Sequence, residues 1–445
     1  MPWGQERTAV IHAPRRLVSV RNGLLAVAML VVLVAPRGVP TAAETSRLQA
    51  DPPADVAVQA LAAGGDHTCA LLSGGVKCWG SNFGGKLGDG TTTNRTTPVN
   101  VSGLSSGVQA ITTGLYHSCA LAGGGVMCWG NNQQSQLGDG TSTNRSTPVN
   151  VSGLSSGVQA IIAGAYHTCA LLLSGGVQCW GHNYYGQLGD STITNRRTPV
   201  NVFGLTSGVQ AVAAGEAHTC ALLSSGGVQC WGENSLGQLG NGTTTTPLTT
   251  PANVSGLSSG VQAITTDAYH TCALLSGGVM CWGYNNSSQL GDGTVTQRTT
   301  PVNVARLSSG VQAITAGGYH TCALMGGGVQ CWGSNTSGQL GDGTVAQRTT
   351  PASVVGMSGP VQVLAAGSAH TCALPGVGMK CWGHNLYGQL GDGSTTNRDT
   401  PVNVSGLDGP VQAITAGQYH TCALLSGGVK CWGYNNSGQL SATAQ

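Results

Sequence analysis

The stretch HTCALLSGGVKCWG, His67 to Gly80, recurs seven more times along the 445-residue chain with small changes. All 16 cysteines and eight of the nine tryptophans lie inside the eight copies. The first cysteines of successive copies stand 50, 50, 51, 52, 50, 50 and 50 residues apart. Such regularity indicates a structural period that absorbs most of the chain. The later copies begin at His117, His167, His218, His270, His320, His370 and His420.

Each repeat contains four short segments that are typical of β-strands. In the second copy they run from Val108 to Thr112, His117 to Leu121, Val126 to Trp129 and Pro148 to Val151. The second and third segments, joined by three glycines, predict a hairpin. The proline that leads the fourth segment suits an outermost strand, because proline cannot donate a ladder hydrogen bond.

The paired cysteines of each copy lie on the two strands of this hairpin. In the first copy, a tight turn at Ser73-Gly74 sets Cys69 opposite Cys78, within disulfide reach. The third and fourth copies carry one more turn residue, which a three-residue turn accommodates with the cysteines still opposed. Free thiols and metal binding are alternatives, but the Cys-x8-Cys spacing is not that of zinc sites. The predicted structural bridges are Cys69–Cys78, Cys119–Cys128, Cys169–Cys179, Cys220–Cys230, Cys272–Cys281, Cys322–Cys331, Cys372–Cys381 and Cys422–Cys431.

Eight units of about 50 residues with four strands each predict an all-β fold, a β-propeller in which neighbouring sheets cover each other. The pattern GxxHTCALxxGGVxCWGxNxxGQLGDGT followed by PVNV resembles the regulator of chromosome condensation repeat over essentially the whole chain after the leader. That resemblance implies a propeller, typically of seven blades. Eight hairpins predict eight blades here, with seven blades and a spare copy as the alternative.

Three segments organise the chain. Residues 1–43 have arginines, a 12-residue apolar run from Leu24 to Ala35 and small residues at 41–43, as a secretory signal peptide does. Residues 57–445 form the single predicted propeller. The last copy has no PVNV segment, so residues 44–56 are a hypothetical ring-closing strand. We expect a secreted or extracytoplasmic protein, at the cell surface if the leader is uncleaved, with no membrane segment beyond that leader.

Residues that recur in every copy predict structural roles, because a catalytic residue is needed once. The repeated histidines are expected to form a hydrogen bond inside each blade, and the tryptophans to fill the space between blades. The aspartates of the GDG turns, such as Asp89, are expected to shape those turns, and the recurring arginines, such as Arg95, to join adjacent loops or blades. No catalytic or phosphate-binding motif occurs, so neither an enzyme nor a cofactor or metal site is expected.

Function is expected where the copies differ, namely just before each histidine and just after each Trp-Gly. Equivalent loops of a propeller emerge on one face, and aromatic residues are enriched where proteins bind each other. Neutral drift of solvated loops is the alternative reading. The predicted binding residues are Phe83, Tyr116, Tyr166, His182, Tyr184, Tyr185, Tyr269, Tyr284, Tyr319, His384, Tyr387, Tyr419 and Tyr434.

The first functional hypothesis is a secreted scaffold that binds a protein partner through this loop face, as a monomer. The family resemblance implies protein binding: one branch inhibits secreted β-lactamases, and the founding branch promotes nucleotide exchange on the GTPase Ran. An exported chain would not meet that GTPase, so guanine-nucleotide exchange is a remote alternative. A carbohydrate or cell-wall binding module is the second hypothesis. Nucleic acid is not an expected partner, because only 8% of residues are charged and the net charge is +2.

Overall fold

The computed structural model describes residues 58–438 and 440, except 358, 377, 426 and 427. The predicted signal peptide and the hypothetical ring-closing strand at 44–56 lie outside the described residues. Within them, no helix has the length and apolar character needed to cross a bilayer.

The described chain is built from 31 β-strands and one short 3-10 turn at Phe83–Gly85. Blades 1 to 4 comprise β1 Val58–Ala63, β2 His67–Leu72, β3 Gly75–Gly80, β4 Arg95–Asn100; β5 Val108–Thr113, β6 His117–Ala122, β7 Gly125–Gly130, β8 Arg145–Asn150; β9 Val158–Ala163, β10 His167–Leu172, β11 Val177–Gly181, β12 Arg196–Asn201; β13 Val209–Ala214, β14 His218–Leu223, β15 Val228–Gly232, β16 Leu248–Asn253. Blades 5 to 8 comprise β17 Val261–Thr266, β18 His270–Leu275, β19 Gly278–Gly283, β20 Arg298–Asn303; β21 Val311–Ala316, β22 His320–Met325, β23 Gly328–Gly333, β24 Arg348–Ser353; β25 Val361–Ala366, β26 His370–Pro375, β27 Lys380–Gly383, β28 Arg398–Asn403; β29 Val411–Ala416, β30 His420–Leu425, β31 Gly428–Gly433.

Each blade is an antiparallel sheet whose strands pair in chain order, with the first strand innermost. Innermost strands of neighbouring blades touch all the way round, and β1 touches β29, so the ring closes with eight blades. Eight blades were predicted and are confirmed, and the seven-bladed alternative is wrong. Blade 8 has three strands among the described residues. The outermost strand of blade 2 begins at Arg145, earlier than the predicted Pro148, because Gly130 still pairs with Arg145 across an irregularity in the ladder.

The central hairpin of each blade has the predicted geometry. In blade 1, Ser73 and Gly74 both have positive φ, 46° and 82°, as a tight two-residue hairpin turn requires. The turn sets Cys69 opposite Cys78 with Cα atoms 4.1 Å apart, and a disulfide joins them. All eight predicted pairs are joined in this way, including the two across the longer turns of blades 3 and 4.

The apolar core lies between the blades. Each cluster combines the cystine and leucines of one blade with a tryptophan of the next, for example Cys119 and Leu121 of blade 2 with Trp180 of blade 3. Trp180 is fully buried, and its indole N–H donates to the main-chain oxygen of Gln136 in blade 2. The predicted position of the tryptophans between blades is therefore confirmed.

The histidines also join blades, and the predicted hydrogen bond inside each blade is wrong. His117 Nε2 lies 2.8 Å from Thr168 Oγ1 of the following blade. That hydroxyl in turn donates to the main-chain oxygen of Gln136, so it accepts its hydrogen bond from the histidine. Eight such His-to-Thr or His-to-Ser contacts run round the ring: His67–Ser118, His117–Thr168, His167–Thr219, His218–Thr271, His270–Thr321, His320–Thr371, His370–Thr421 and His420–Thr68.

The loop between the third and fourth strands is fastened by its own side chains. In blade 5, Asn285 Nδ2 donates to Asp292 Oδ1 and to two main-chain oxygens. Arg298 forms an ion pair with the same aspartate, so it closes its own loop and does not join adjacent loops or blades as predicted. Asp292 accepts a hydrogen bond from the N–H of Thr294, two residues later in the chain, which confirms the predicted turn-shaping role.

Candidate functional site

The two faces of the ring differ in the length of their connections. One face carries the hairpin turns and the linkers between blades, and we call it the turn face. The other carries the connection that precedes each histidine and the long loop that follows each Trp-Gly. These two connections are bound to each other, since the N–H of Asn131 donates to the oxygen of Tyr116 and that of His182 to Tyr166. Both variable positions therefore lie on this second face, which we call the aromatic face.

All thirteen predicted binding residues are exposed or half-buried on the aromatic face. Their rings group into three clusters rather than an even circle. The first cluster, on blades 1 to 3, contains Phe83, Tyr116, Tyr166, His182, Tyr184 and Tyr185. The second, on blades 5 and 6, contains Tyr269, Tyr284 and Tyr319. The third, on blades 7 and 8, contains His384, Tyr387, Tyr419 and Tyr434.

Four residues of the first cluster line an open groove of about 330 Å³, namely Phe83, Tyr116, Tyr166 and His182. The amides of Asn131, Gln133 and Gln134 complete the lining. The Tyr116 and Tyr166 rings belong to adjacent blades and have centroids 5.6 Å apart. A mainly aromatic wall with a few amides is typical of surfaces that bind peptide or protein groups.

The third cluster is the densest. Tyr387 contacts Tyr419 at 5.5 Å and Tyr434 at 4.9 Å between ring centroids, with interplanar angles of 69° and 74°. Such edge-to-face contacts stabilise the rings against each other and hold them in place. The cluster therefore presents a preorganised apolar surface, since a partner would not have to order these side chains on binding.

Both histidines of the aromatic face are held by a buried glutamine. Gln187 Nε2 donates to His182 Nδ1 at 2.8 Å, and Gln389 makes the same bond to His384. A histidine nitrogen that accepts a hydrogen bond carries no proton, and burial lowers the pKa of both rings below its usual value. These side chains are therefore neutral at physiological pH and act as flat, half-buried contact surfaces.

Three carboxylates on blades 4 and 5 were not predicted as a group from the sequence. Glu216 and Glu233 belong to blade 4, and Asp267 belongs to blade 5. They lie between the first and second clusters. Burial raises the pKa of Glu233, and burial together with these carboxylates raises the pKa of Tyr269 to about 12. The sequence carried one signal: Asp267 stands where the other seven copies have glycine.

The described residues contain no group of three or more histidine, cysteine or acidic side chains placed to hold a metal ion. The repeated histidines are fully buried between blades, and every cysteine of the described chain is in a disulfide. The aromatic face presents rings, amides and carboxylates in fixed positions, which suits it to binding through surface contacts.

Comparison with known proteins agrees with this architecture. Residues 36–312 match the RCC1-like domain, and residues 326–374 and 381–424 match the regulator of chromosome condensation (RCC1) repeat. The chain belongs to the RCC1-like repeat family. This confirms the resemblance found in the sequence.

Several known proteins share segments or the fold. The human E3 ubiquitin-protein ligase HERC2 is 37% identical over 121 residues, 26% of this chain but only 2% of HERC2. Human HERC3, a probable E3 ubiquitin-protein ligase, is 37% identical over 124 residues, 12% of its length. The structure of Prp20p from Saccharomyces cerevisiae, whose binding to Gsp1p and histones has been described, has a TM-score of 0.64 at 22% identity and covers 86% of this chain and 94% of Prp20p. Human WBSCR16 has a TM-score of 0.61 at 24% identity, covering 73% and 87%. At these identities the structures establish the shared fold.

Proposed function

We propose that this chain is a protein-interaction scaffold that holds a protein partner on its aromatic face. The observation that carries the proposal is the collection of thirteen separate aromatic and histidine side chains into three preorganised clusters on one face. Tyr184 is 65% exposed and Tyr387 44% exposed, although each is packed edge-on against other rings. Large apolar rings kept at the surface are typical of binding sites, because burying them in an interface releases the water around them.

The comparisons support protein binding as the general role of this propeller type. Prp20p is described with Gsp1p and histones, and yeast RCC1 (Prp20) has been solved bound to Kap60. Gsp1p, the histones and Kap60 are partners of Prp20 and are said of Prp20 alone. For the present chain the proposal is a single protein partner of its own, bound without catalysis by the propeller.

The proposal is tested by quantitative capture from the source organism's proteins, with the immobilised propeller. A triple variant, Y184A/Y185A/Y387A, removes rings from the first and third clusters. A matched double variant, L173A/F203A, removes two side chains that are 70% and 64% exposed on the turn face. The partner should be retained by the wild type and the turn-face variant, and reduced at least about ten-fold by the triple variant. Equal retention by all three, or binding to a glycan array that needs the same tyrosines, would count against a protein partner.

We further propose that the chain is exported and works outside the cytoplasm. Eight disulfides support this, because structural disulfides persist in oxidising compartments. The apolar run from Leu24 to Ala35 is consistent with a signal. Intact-mass analysis of the native protein tests both points. A mature chain that begins near Glu44 and whose cysteines react with an alkylating reagent only after reduction is expected. Free thiols and an intact leader would contradict export.

A further inference from the structure

The open groove of the first cluster presents no charge. Among the described residues that line it there are three aromatic residues, a histidine and three amides, and no acidic residue, lysine or arginine. The ammonium of Lys86 lies 5.4 Å from the centre of the Tyr116 ring, but it forms an ion pair with Asp66. The His182 ring is neutral, because its Nδ1 accepts a hydrogen bond from Gln187. The groove is therefore complementary to an uncharged group.

The amide oxygens in the lining of the groove are already engaged by the chain itself. Asn131 Oδ1 accepts from the main-chain N–H of Gln133 and from Gln136 Nε2, which occupies both of its lone pairs. Gln134 Oε1 accepts from Asn195 Nδ2. These bonds also fix the direction of both amides, so their N–H groups are the part that is left for a ligand.

The groove therefore offers hydrogen-bond donors. Asn131 Nδ2, Gln134 Nε2 and His182 Nε2 form no hydrogen bond within the described part of the chain. The Nε2 of His182 carries the ring proton, because Nδ1 is the acceptor. The side chain of Gln133 is exposed, so its amide can keep its contact with water. A ligand that suits this groove brings acceptors and few donors of its own.

A run of prolines meets this requirement better than a sugar or an ordinary extended segment does. Proline has a carbonyl oxygen and no N–H, so the polar groups of a proline run are all acceptors. A sugar hydroxyl is a donor as well as an acceptor, and burying it against Asn131 and His182 would leave its hydrogen without a partner. The main-chain N–H groups of other residues would meet the same cost.

The rings of the groove also have a spacing that suits such a run. The ring centroids of Tyr116 and Tyr166 are 5.6 Å apart, and those of Tyr166 and His182 are 6.2 Å apart. A polyproline II helix advances about 3.1 Å per residue, so it meets a new ring about every second residue. Aromatic grooves bind such helices well, because the conformation exists before binding and little freedom is lost.

We propose that this groove receives an uncharged, proline-rich segment of the protein partner in the polyproline II conformation. The proposal rests on the function proposed above and specifies the chemistry of the partner. The pyrrolidine rings lie against Tyr116, Tyr166 and His182. The main-chain carbonyl oxygens of the segment accept hydrogen bonds from the amides of Asn131 and Gln134.

A calorimetric titration tests the groove with a defined probe, an octaproline peptide with acetylated and amidated ends. The variant Y166A/H182A removes two rings of the groove, and the matched control L173A/F203A removes two exposed side chains of the turn face. We expect octaproline to bind the wild type and L173A/F203A equally, and Y166A/H182A at least about ten-fold more weakly. A peptide of four Gly-Ser repeats with the same ends should bind the wild type at least about ten-fold more weakly than octaproline.

A second variant tests the donors. N131D/Q134E keeps the size of both side chains and the oxygens that accept from Gln133, Gln136 and Asn195, but it replaces both amide donors with carboxylate oxygens. We expect it to bind octaproline at least about ten-fold more weakly, because the carbonyl oxygens then face acceptors. Thermal melting establishes that each variant is folded. If the double variant melts early, Q134E alone, at a half-buried position, makes the same comparison.

Three outcomes would overturn the proposal: equal affinity of octaproline for wild type and Y166A/H182A, equal affinity for wild type and the donor variant, or no binding of octaproline to the wild type, whether or not chitotetraose binds there. The capture experiment, repeated with excess octaproline, separates the two proposals. A partner that is lost from Y184A/Y185A/Y387A but stays bound in excess octaproline leaves the scaffold function standing and contradicts the proline-rich contact.

Discussion

His420 and Thr68 are 352 residues apart in the chain and share a hydrogen bond of 2.7 Å between Nε2 and Oγ1. The bond joins blade 8 to blade 1 in the same way as the histidine-to-hydroxyl contacts between the other blades, where the hydroxyl belongs to threonine except at Ser118. The first and last blades are thus neighbours in the same sense as blades 2 and 3. Each aromatic cluster contains rings from more than one blade, so contacts between neighbouring blades hold its rings in position.

The hydrogen bond between His420 and Thr68 should contribute measurably to the stability of the propeller. The variant T68V removes the hydroxyl and keeps the shape, so it leaves the buried His420 ring without that partner. We expect a loss of about 1–3 kcal/mol in the free energy of unfolding by denaturant. T92V is the matched control, because Thr92 is exposed and valine already occupies the equivalent place at Val295 and Val345. An equal effect of both substitutions would mean that the contact contributes nothing.

The buried histidines should make the propeller sensitive to acid. Burial lowers the pKa of His117, His270 and His370 to about 3 and that of His320 and His420 to about 4. An unfolded histidine has a pKa of about 6.5, so between these values the unfolded chain binds more protons than the folded one. Stability is therefore full above pH 6.5 and falls as pH drops towards 4. Unfolding at pH 5 should take up about four to six protons per molecule. Uptake of less than one proton would show that the rings are protonated in the folded state.

The last disulfide should be the first to be reduced. Cys422 and the other first cysteines of the hairpins are buried, but Cys431 in β31 is half-buried. In the other blades the equivalent cysteine is fully buried. We expect mild reduction followed by alkylation to label Cys431 before Cys78 or Cys381, as measured by peptide mass spectrometry. Uniform labelling would contradict the difference in exposure.

The loop asparagines should matter more than the loop arginines. Asn335 is fully buried, accepts from the N–H of Leu340 and donates to Asp342 and two main-chain oxygens. N335A leaves these groups buried without a partner and should cost about 2–3 kcal/mol. R348A removes a half-exposed side chain and should cost less than about 1 kcal/mol. Blade 4 has no arginine in this position, which agrees with that order. Thermal melting compares the stability lost in the two variants. A larger loss of stability for R348A than for N335A would contradict the prediction.

The sequence predicted the parts of the fold that repeat. The period, the hairpin, the cysteine pairs and the tryptophan positions follow from residue types at fixed spacing, and the structure has all of them. The period does not show whether a side chain faces its own blade or the next one. For that reason the predicted hydrogen bond of His117 inside its own blade was wrong. Its partner, Thr168, is one repeat away in the next blade, and a repeated pattern looks the same within a blade as between blades.

The aromatic face was predicted from the positions at which the copies differ. The three carboxylates of blades 4 and 5 were not predicted as a group, because they come from three different positions of the repeat. Glu216 follows a recurring glycine, Asp267 replaces one, and Glu233 follows Trp-Gly. These positions lie on the consecutive blades 4 and 5, and the repeat pattern does not show that their charges act on Tyr269.

The most direct test of the central claim is hydroxyl-radical footprinting of the chain alone and with its captured partner. The method reports the solvent exposure of individual aromatic side chains. Binding through the aromatic face predicts protection of Phe83, Tyr184 and Tyr387, with Phe203 on the turn face as reactive as before. Protection of Phe203 with unchanged reactivity at Tyr184 and Tyr387 would place the partner on the other face and contradict the account.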